Sequence, residues 1–194
     1  MDFSKEELER RSQIVTEDNN GCLPMHLPFF TSSIRYSANC ALQSFNKYDN
    51  LLKEDVSAFE LISEIQEAIT HVGALSRFFW PSPMGNRDQF HAQKMARGKQ
   101  LRSRYGISDD SPISDRKLRN AWEHFDEKLD KYLLTNDTGA FFPDPILNSH
   151  TLADDENDRV FKLLDVENEC LVLLGKKFFF KPIRDEVEVI FKVQ

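Results

Sequence analysis

The sequence predicts a mainly α-helical protein, an up-and-down helical bundle followed by a small C-terminal antiparallel β meander. Up to residue 136, apolar residues recur every three to four positions between proline and glycine boundaries, which is the period of amphipathic helices. From Arg159 onward, short β-branched and aromatic runs replace that period. We therefore divide the chain into a helical bundle over 1–136, a linker over 137–158 and an antiparallel β appendage over 159–194.

The composition is typical of a folded protein with a substantial core. Hydrophobic residues make up 40% of the 194 residues, and no apolar run approaches the ~20 residues that span a bilayer. The start of the chain lacks the basic and apolar regions of a signal peptide. The three cysteines are widely spaced and follow no metal-binding pattern, which favours free buried thiols in a reducing compartment. We therefore expect a cytoplasmic protein with no membrane span, metal site or cofactor.

Local signals set the boundaries of the first predicted helices. The first ~25 residues form a short charged helix and a loop, and another helix covers roughly residues 32–49. Ser57 and Glu60 have the spacing of a capping box and start a strongly amphipathic helix. Pro81 ends that helix, because proline forbids its continuation and biases the preceding residue away from helix.

Two more helices complete the predicted bundle. The first runs from Asn86, as N-cap, to Gly106, as the C-terminal glycine. The second starts near Pro112, because proline is accepted in a first turn, and continues without a break as far as Leu133.

Four runs in the last part of the chain predict strands. They cover residues 160–164, 169–174, 177–181 and 186–193. The last run alternates valine or phenylalanine with Glu188, Ile190 and Lys192, as a half-buried strand does.

The charge distribution is uneven. The formal net charge of −7 argues against a protein that coats nucleic acid indiscriminately. Residues 94–104 nevertheless contain five basic residues and no acidic one, and Arg116, Lys117 and Arg119 follow soon after. This basic segment is either a contact surface for a polyanion or an ordinary solvated helix face.

The segment over residues 119–124 carries the residues best suited to chemistry. Histidine exchanges protons near neutral pH, and arginine stays charged and holds phosphate. In an ideal helix Asn120 and His124 are i,i+4 neighbours, whereas Arg119 lies about 140° from His124. One straight copy of the helix therefore does not bring Arg119 and His124 together. A distorted helix, or two copies packed about a two-fold axis, would do so.

The R-N-x-x-x-H pattern of residues 119–124 resembles the Arg-x4–6-His motif of the HEPN superfamily, and the wider segment 116–130 also resembles proteins of this type. The resemblance covers roughly residues 30–136. It implies a HEPN-like helical bundle and a metal-independent endoribonuclease that works as a homodimer, of the kind found in toxin–antitoxin systems. Some members carry a tyrosine two residues after the histidine for partner-dependent modification, and this chain has Asp126 there.

The resemblance implies a role for each residue. His124 exchanges a proton with the ribose 2′-hydroxyl or the leaving oxygen, Arg119 holds the phosphate, and Asn120 positions the phosphate or fixes the histidine tautomer. Further phosphate contacts are expected from basic residues on the neighbouring segments, namely Arg97, Arg102 and Arg116.

An alternative assigns the same residues to structure. Carboxylates crowd the motif, and pairs such as Arg119 with Glu123 and Glu127 with Lys131 would make it a salt-bridged helix face. The protein would then be a non-catalytic helical interaction module with a protein partner.

Overall fold

A computed structural model describes residues 3–82 and 88–193 and confirms a mainly helical protein with a small C-terminal region of strands. This part of the chain contains seven α-helices: α1 (Lys5–Asn19), α2 (Leu27–Leu51), α3 (Ala58–Phe79), α4 (His91–Tyr105), α5 (Lys117–Glu123), α6 (Phe125–Thr135) and α7 (Lys181–Lys192). It also contains six short strands: β1 (Ala140–Phe142), β2 (Ile146–Leu147), β3 (Asp158–Val160), β4 (Lys162–Asp165), β5 (Cys170–Leu173) and β6 (Lys176–Phe179).

The local signals for helix ends are confirmed at three positions. The Ser57 hydroxyl accepts from the Glu60 amide at 3.4 Å, and the Glu60 carboxylate accepts from the Ser57 amide at 3.0 Å, so the capping box forms. α3 ends at Phe79, just before Trp80 and Pro81. α4 ends at Tyr105 and is followed by Gly106, whose φ of +66° is the left-handed conformation that glycine accepts without strain.

The starts of two other helices differ from the predictions. α2 begins at Leu27, with Pro28 in its first turn, and not near residue 32. Asn86, the predicted N-cap of the basic helix, lies outside the described residues. The helix begins at His91, directly after Phe90.

The prediction of one continuous helix from Pro112 to Leu133 is wrong. Pro112–Ser114 is a 3-10 turn, α5 begins only at Lys117, and His124 separates α5 from α6 with φ −116° and ψ 35°. Across this break the rings of Trp122 and Phe125 form an edge-to-face pair with 6.4 Å between centroids. The Lys162 ammonium from β4 lies 4.8 Å from the Phe125 centroid. Contacts with the strands thus favour the bent geometry, which the residues of the helix do not specify locally.

The strands are only partly antiparallel. β4, β5 and β6 form the antiparallel ladder that the sequence predicts, with Leu164 opposite Leu171 and Leu171 opposite Phe178. However, β2 adds to this sheet parallel to β4, and β1 pairs with β3 in parallel. β1 and β2, the two strands that pair in parallel, lie in the predicted linker. The sequence predicts hairpins between neighbouring strands, but it does not predict pairings between distant segments.

The segment over 137–158 is therefore not a simple linker. Besides β1, β2 and the start of β3, it contains a 3-10 helix over His150–Asp154. The central strands of the four-stranded sheet are buried on both faces, and this segment covers the face that points away from the helices. A small second core is formed on this face by Val160, Leu163, Cys170 and Val172. The apolar side chains of the segment that pack on it are Phe142, Ile146, Leu152 and Ala153.

The predicted strand over residues 186–193 is wrong, because residues 186–192 belong to α7. The helix buries Val187 and Ile190, whereas Val189, which strand alternation would place beside Val187, is 53% exposed. Ile183 and Phe191 pack on the same side as the buried pair, which completes a helical i, i+4, i+7, i+8 stripe. In so short a run both periods fit the residues, and packing against the bundle decides between them.

One apolar core joins the helices to the C-terminal region. Phe180, directly before α7, is fully buried and lies between two aromatic residues of α2. Its ring stacks with Phe45 at 6.3 Å and meets Tyr48 edge-on at 5.9 Å. Arg184 of α7 donates hydrogen bonds to both carboxylate oxygens of Asp49 on α2, which fixes the helix against the bundle.

Within residues 3–82 and 88–193, no helix is long and apolar enough to cross a membrane. The three cysteines in this part of the chain are free, with Cys22 and Cys170 buried and Cys40 half-buried.

Candidate functional site

Arg119 lies where α5 crosses α3. Its side chain is only 15% exposed, and its aliphatic part fits against Gly73 of α3. Two guanidinium nitrogens, Nε and Nη1, are buried without a hydrogen-bond partner. The Glu123 carboxylate is the nearest counter-charge, 3.4 Å from Nε, but the pair lacks hydrogen-bond geometry. The arginine is thus held in place with unused hydrogen-bonding capacity.

Asn120 lies between the arginine and an open cleft. Its side-chain oxygen accepts a hydrogen bond from Arg119 Nη2 at 3.3 Å. The same residue lines a cleft of about 550 Å³ between α5–α6 and the β5–β6 hairpin. Asn120 therefore connects the buried arginine to the surface, which is consistent with a positioning role.

His124 occupies the break between α5 and α6 and is 52% exposed. Its Nδ1 atom lies 3.5 Å from the Glu127 carboxylate. Within the described residues, His124 makes no hydrogen bond or ion pair with Arg119. Arg119 is buried against α3 and His124 is open to solvent, so the two motif residues do not form a closed pair in one chain.

Charge is concentrated around Arg119. Glu123 is also 3.8 Å from Arg77 on α3, so one carboxylate serves two guanidinium groups. Burial first, and then the nearby charges of Arg119 and Arg77, lower the pKa of Arg116 below its ordinary value. Three arginines thus lie close together, and the Glu123 carboxylate is within 4 Å of two of them, Arg77 and Arg119.

The three predicted phosphate contacts already have intramolecular contacts. Arg102 donates a hydrogen bond to the Phe79 carbonyl, and Arg116 donates one to the Trp80 carbonyl at 2.6 Å. Both arginines thus satisfy carbonyl groups at the C-terminal end of α3. The Arg97 guanidinium lies 4.6 Å above the Phe30 ring, and burial lowers its pKa. RNA binding by these residues stays a prediction.

Three lysines of the cleft were not among the predicted site residues. Lys128 and Lys131 lie one turn apart on α6, and Lys176 faces them from the start of β6. The i,i+3 spacing on α6 is visible in the sequence. Their meeting with Lys176 depends on how the hairpin packs, which no local pattern indicates.

His150 and Asp165 form a second polar pair, away from the motif. His150 Nδ1 lies 2.6 Å from an oxygen of Asp165, which also accepts from the His150 amide at 2.9 Å. Asn168 donates to the same carboxylate through its backbone and side chain. Burial opposes ionisation of Asp165, but these hydrogen bonds outweigh it and hold its pKa well below the usual range. The pair anchors the 3-10 helix to the end of β4.

No group of three histidine, cysteine or carboxylate side chains that could hold a metal ion occurs in the part of the chain that the structure describes. Comparison of the chain with models of protein families, with curated proteins and with solved structures found no match.

Proposed function

We propose that this protein is a HEPN-like, metal-independent endoribonuclease in which Arg119, Asn120 and His124 form one half of a site. The observation that carries the proposal is the Arg119 guanidinium. It has two buried nitrogens without hydrogen bonds, and it lies beside Asn120, which precedes the solvent-exposed His124 by one helical turn. A buried donor without a partner costs free energy, and a phosphate oxygen would satisfy it once the guanidinium turns toward the surface beside Asn120.

The chemistry uses the RNA's own 2′-hydroxyl as nucleophile. His124 accepts the proton from that hydroxyl, the 2′-oxygen bonds to phosphorus, and the bond from phosphorus to the 5′-oxygen breaks. The proton returns to the departing 5′-oxygen, so the products are a 2′,3′-cyclic phosphate and a 5′-hydroxyl. Arg119 stabilises the negative charge that develops on the phosphoryl oxygens.

A second copy of the chain completes the site in this proposal. Arg119 is buried against α3 and His124 faces solvent, so a two-fold axis near α5 and α6 would add the partner's histidine and arginine around one phosphate. The protein is therefore expected to cleave RNA as a homodimer.

The test is cleavage of a single-stranded RNA in the presence of EDTA, with identification of the product ends. We expect cyclic phosphate ends from the wild type and a loss of about 10²–10⁴-fold in rate for His124→Ala. His91→Ala, which removes another exposed histidine on α4, is the matched control and should cleave like the wild type. Equal rates for wild type and His124→Ala, or no cleavage by either, would reject the proposal.

A second candidate is a non-catalytic helical interaction module with a protein partner. The packing of Arg119 on Gly73 and its ion pair with Glu123 favour this view, because both give the arginine a structural role. In that case Arg119→Ala should lower stability or change the oligomeric state, and RNA should stay intact in every variant.

A further inference from the structure

The cleft between α5–α6 and the β5–β6 hairpin has a volume of about 550 Å³, within the range of pockets that hold small molecules. Helix residues line one side and hairpin residues line the other. Tyr132 of α6 packs edge-on against Phe161, which lies between β3 and β4, with 5.6 Å between the ring centroids. One copy of the chain therefore forms the whole cleft, with residues of its own helices and hairpin.

The lining combines an apolar wall with a basic rim. Leu173, Leu174 and Phe178 of the hairpin and Ala121 of α5 provide the apolar surface, and the Tyr132 ring extends it. Four lysines also line the cleft: Lys117, Lys128, Lys131 and Lys176. Among the described residues that line it there is no aspartate or glutamate.

Two of the four ammonium groups are already engaged. Lys128 donates to the Asn120 carbonyl, and Lys117 lies 3.3 Å from an Asp115 carboxylate oxygen. The side chains of Lys131 and Lys176 make no hydrogen bond or ion pair with the part of the chain that the structure describes. They are the cations left to a ligand, and they come from opposite sides of the cleft.

We propose that this cleft binds a small amphipathic organic anion. Its apolar body lies against Leu173, Phe178 and the Tyr132 ring, and its carboxylate, sulfonate or phosphate group is held by Lys131 and Lys176. Charge complementarity selects an anion, and the apolar wall selects a ligand with more carbon surface than an inorganic ion offers. The volume limits the ligand to a small molecule.

Binding in this cleft does not require RNA cleavage. Asn120 lines the cleft, whereas Arg119 does not. The probe is the fluorescent anion 1-anilinonaphthalene-8-sulfonate, titrated against the full chain. Its neutral counterpart, N-phenyl-1-naphthylamine, has the same rings without the charge. We expect one saturable site for the anion, at least about tenfold weaker binding of the neutral dye, and an affinity that falls with added salt.

Charge-removing variants locate the site. Lys131→Gln and Lys176→Gln should each weaken binding of the anion by about three- to tenfold, with little effect on the neutral dye. Lys99→Gln, which changes an exposed lysine of α4, is the matched control and should bind like the wild type. All three substitutions are at exposed positions, so circular dichroism should show an unchanged fold.

Competition completes the experiment. Dodecanoate should displace the sulfonate dye, and dodecanol and inorganic phosphate should not. The proposal is overturned if both dyes bind equally well, if Lys131→Gln and Lys176→Gln bind like the wild type, or if a short oligoribonucleotide displaces the dye and dodecanoate does not. The last result would make the cleft a groove for the RNA backbone.

Discussion

Gly73 on α3 and Arg119 on α5 are in direct contact, and the contact exists only because residue 73 has no side chain. A β-carbon at residue 73 would lie 2.6 Å from Cδ of Arg119, closer than such atoms approach in real proteins. The absence of that carbon lets the arginine cross the helix and bring its guanidinium beside Asn120 and Glu123. The position of the proposed phosphate-binding group is thus set by a residue on another helix.

Gly73→Ala is expected to act through Arg119. Alanine is favoured over glycine inside a helix by about 1 kcal/mol, but in the wild type the new methyl group displaces the arginine and offsets that gain. In an Arg119→Ala background the conflict disappears, so Gly73→Ala should stabilise by about 1 kcal/mol more there than in the wild type. Urea unfolding of the four proteins measures this coupling.

Gly106→Ala is the control for that cycle. A β-carbon at residue 106 would have no atom of another described residue within 4 Å, apart from its chain neighbours, but the φ of +66° strains alanine. The variant should therefore lose about 1 kcal/mol equally in both backgrounds. If Gly73→Ala also changes the free energy of unfolding equally in both backgrounds, the contact with residue 73 does not constrain Arg119.

Glu123→Gln is expected to increase RNA binding. The Glu123 carboxylate lies within 4 Å of both Arg77 and Arg119, and loss of its charge leaves both guanidinium groups available to phosphate. We expect RNA affinity to rise about two- to tenfold at low salt, with a smaller effect at high salt. Asp130→Asn, an exposed carboxylate on α6, is the matched control. An unchanged affinity for Glu123→Gln, measured by fluorescence anisotropy, would contradict a phosphate site at Arg119.

Arg184→Met is expected to loosen α7. Its guanidinium bonds to the Asp49 carboxylate and lies 3.3 Å from Glu169, so its loss leaves two partly buried carboxylates without their partner. We expect a loss of about 1–2 kcal/mol, or roughly 2–8 °C in thermal midpoint. Lys192→Met removes an exposed i,i+4 pair on the same helix and should change the midpoint little. Equal midpoints for the two variants would show that the buried network contributes nothing.

The stabilising effect of Asp165 should depend on pH. Its pKa in the folded protein is below the ordinary value of 3.8, so its contribution is fully present above about pH 4 and is lost as the pH falls through the folded-state pKa. The difference in unfolding free energy between wild type and Asp165→Asn should therefore shrink as the pH falls below about 4. Asn168→Ala removes the side-chain donor to this carboxylate, keeps the backbone N–H donor, and should reduce the pH-dependent part. A difference that stays constant down to pH 2 would contradict the assignment.

Three predictions that rest on neighbouring residues agree with the structure. The capping box at Ser57, the stop before Pro81 and the left-handed Gly106 all depend on hydrogen bonds or dihedral angles within a few residues. Residues 186–193 show the limit of this reasoning, because their apolar positions fit either a strand or a helix. The surface of α2, which is distant in sequence, selects the helix by burying Val187 and Ile190.

The candidate site divides in the same way. The residue types over 119–124 and their order are properties of the sequence, and they suffice to predict a phosphate-directed chemistry. Tertiary structure decided that Arg119 packs against Gly73, that the helix breaks at His124, and that Lys131 and Lys176 line the same cleft. The physical reason is range: caps and periodicity act over one or two helical turns, whereas burial and charge depend on which distant segments share the core.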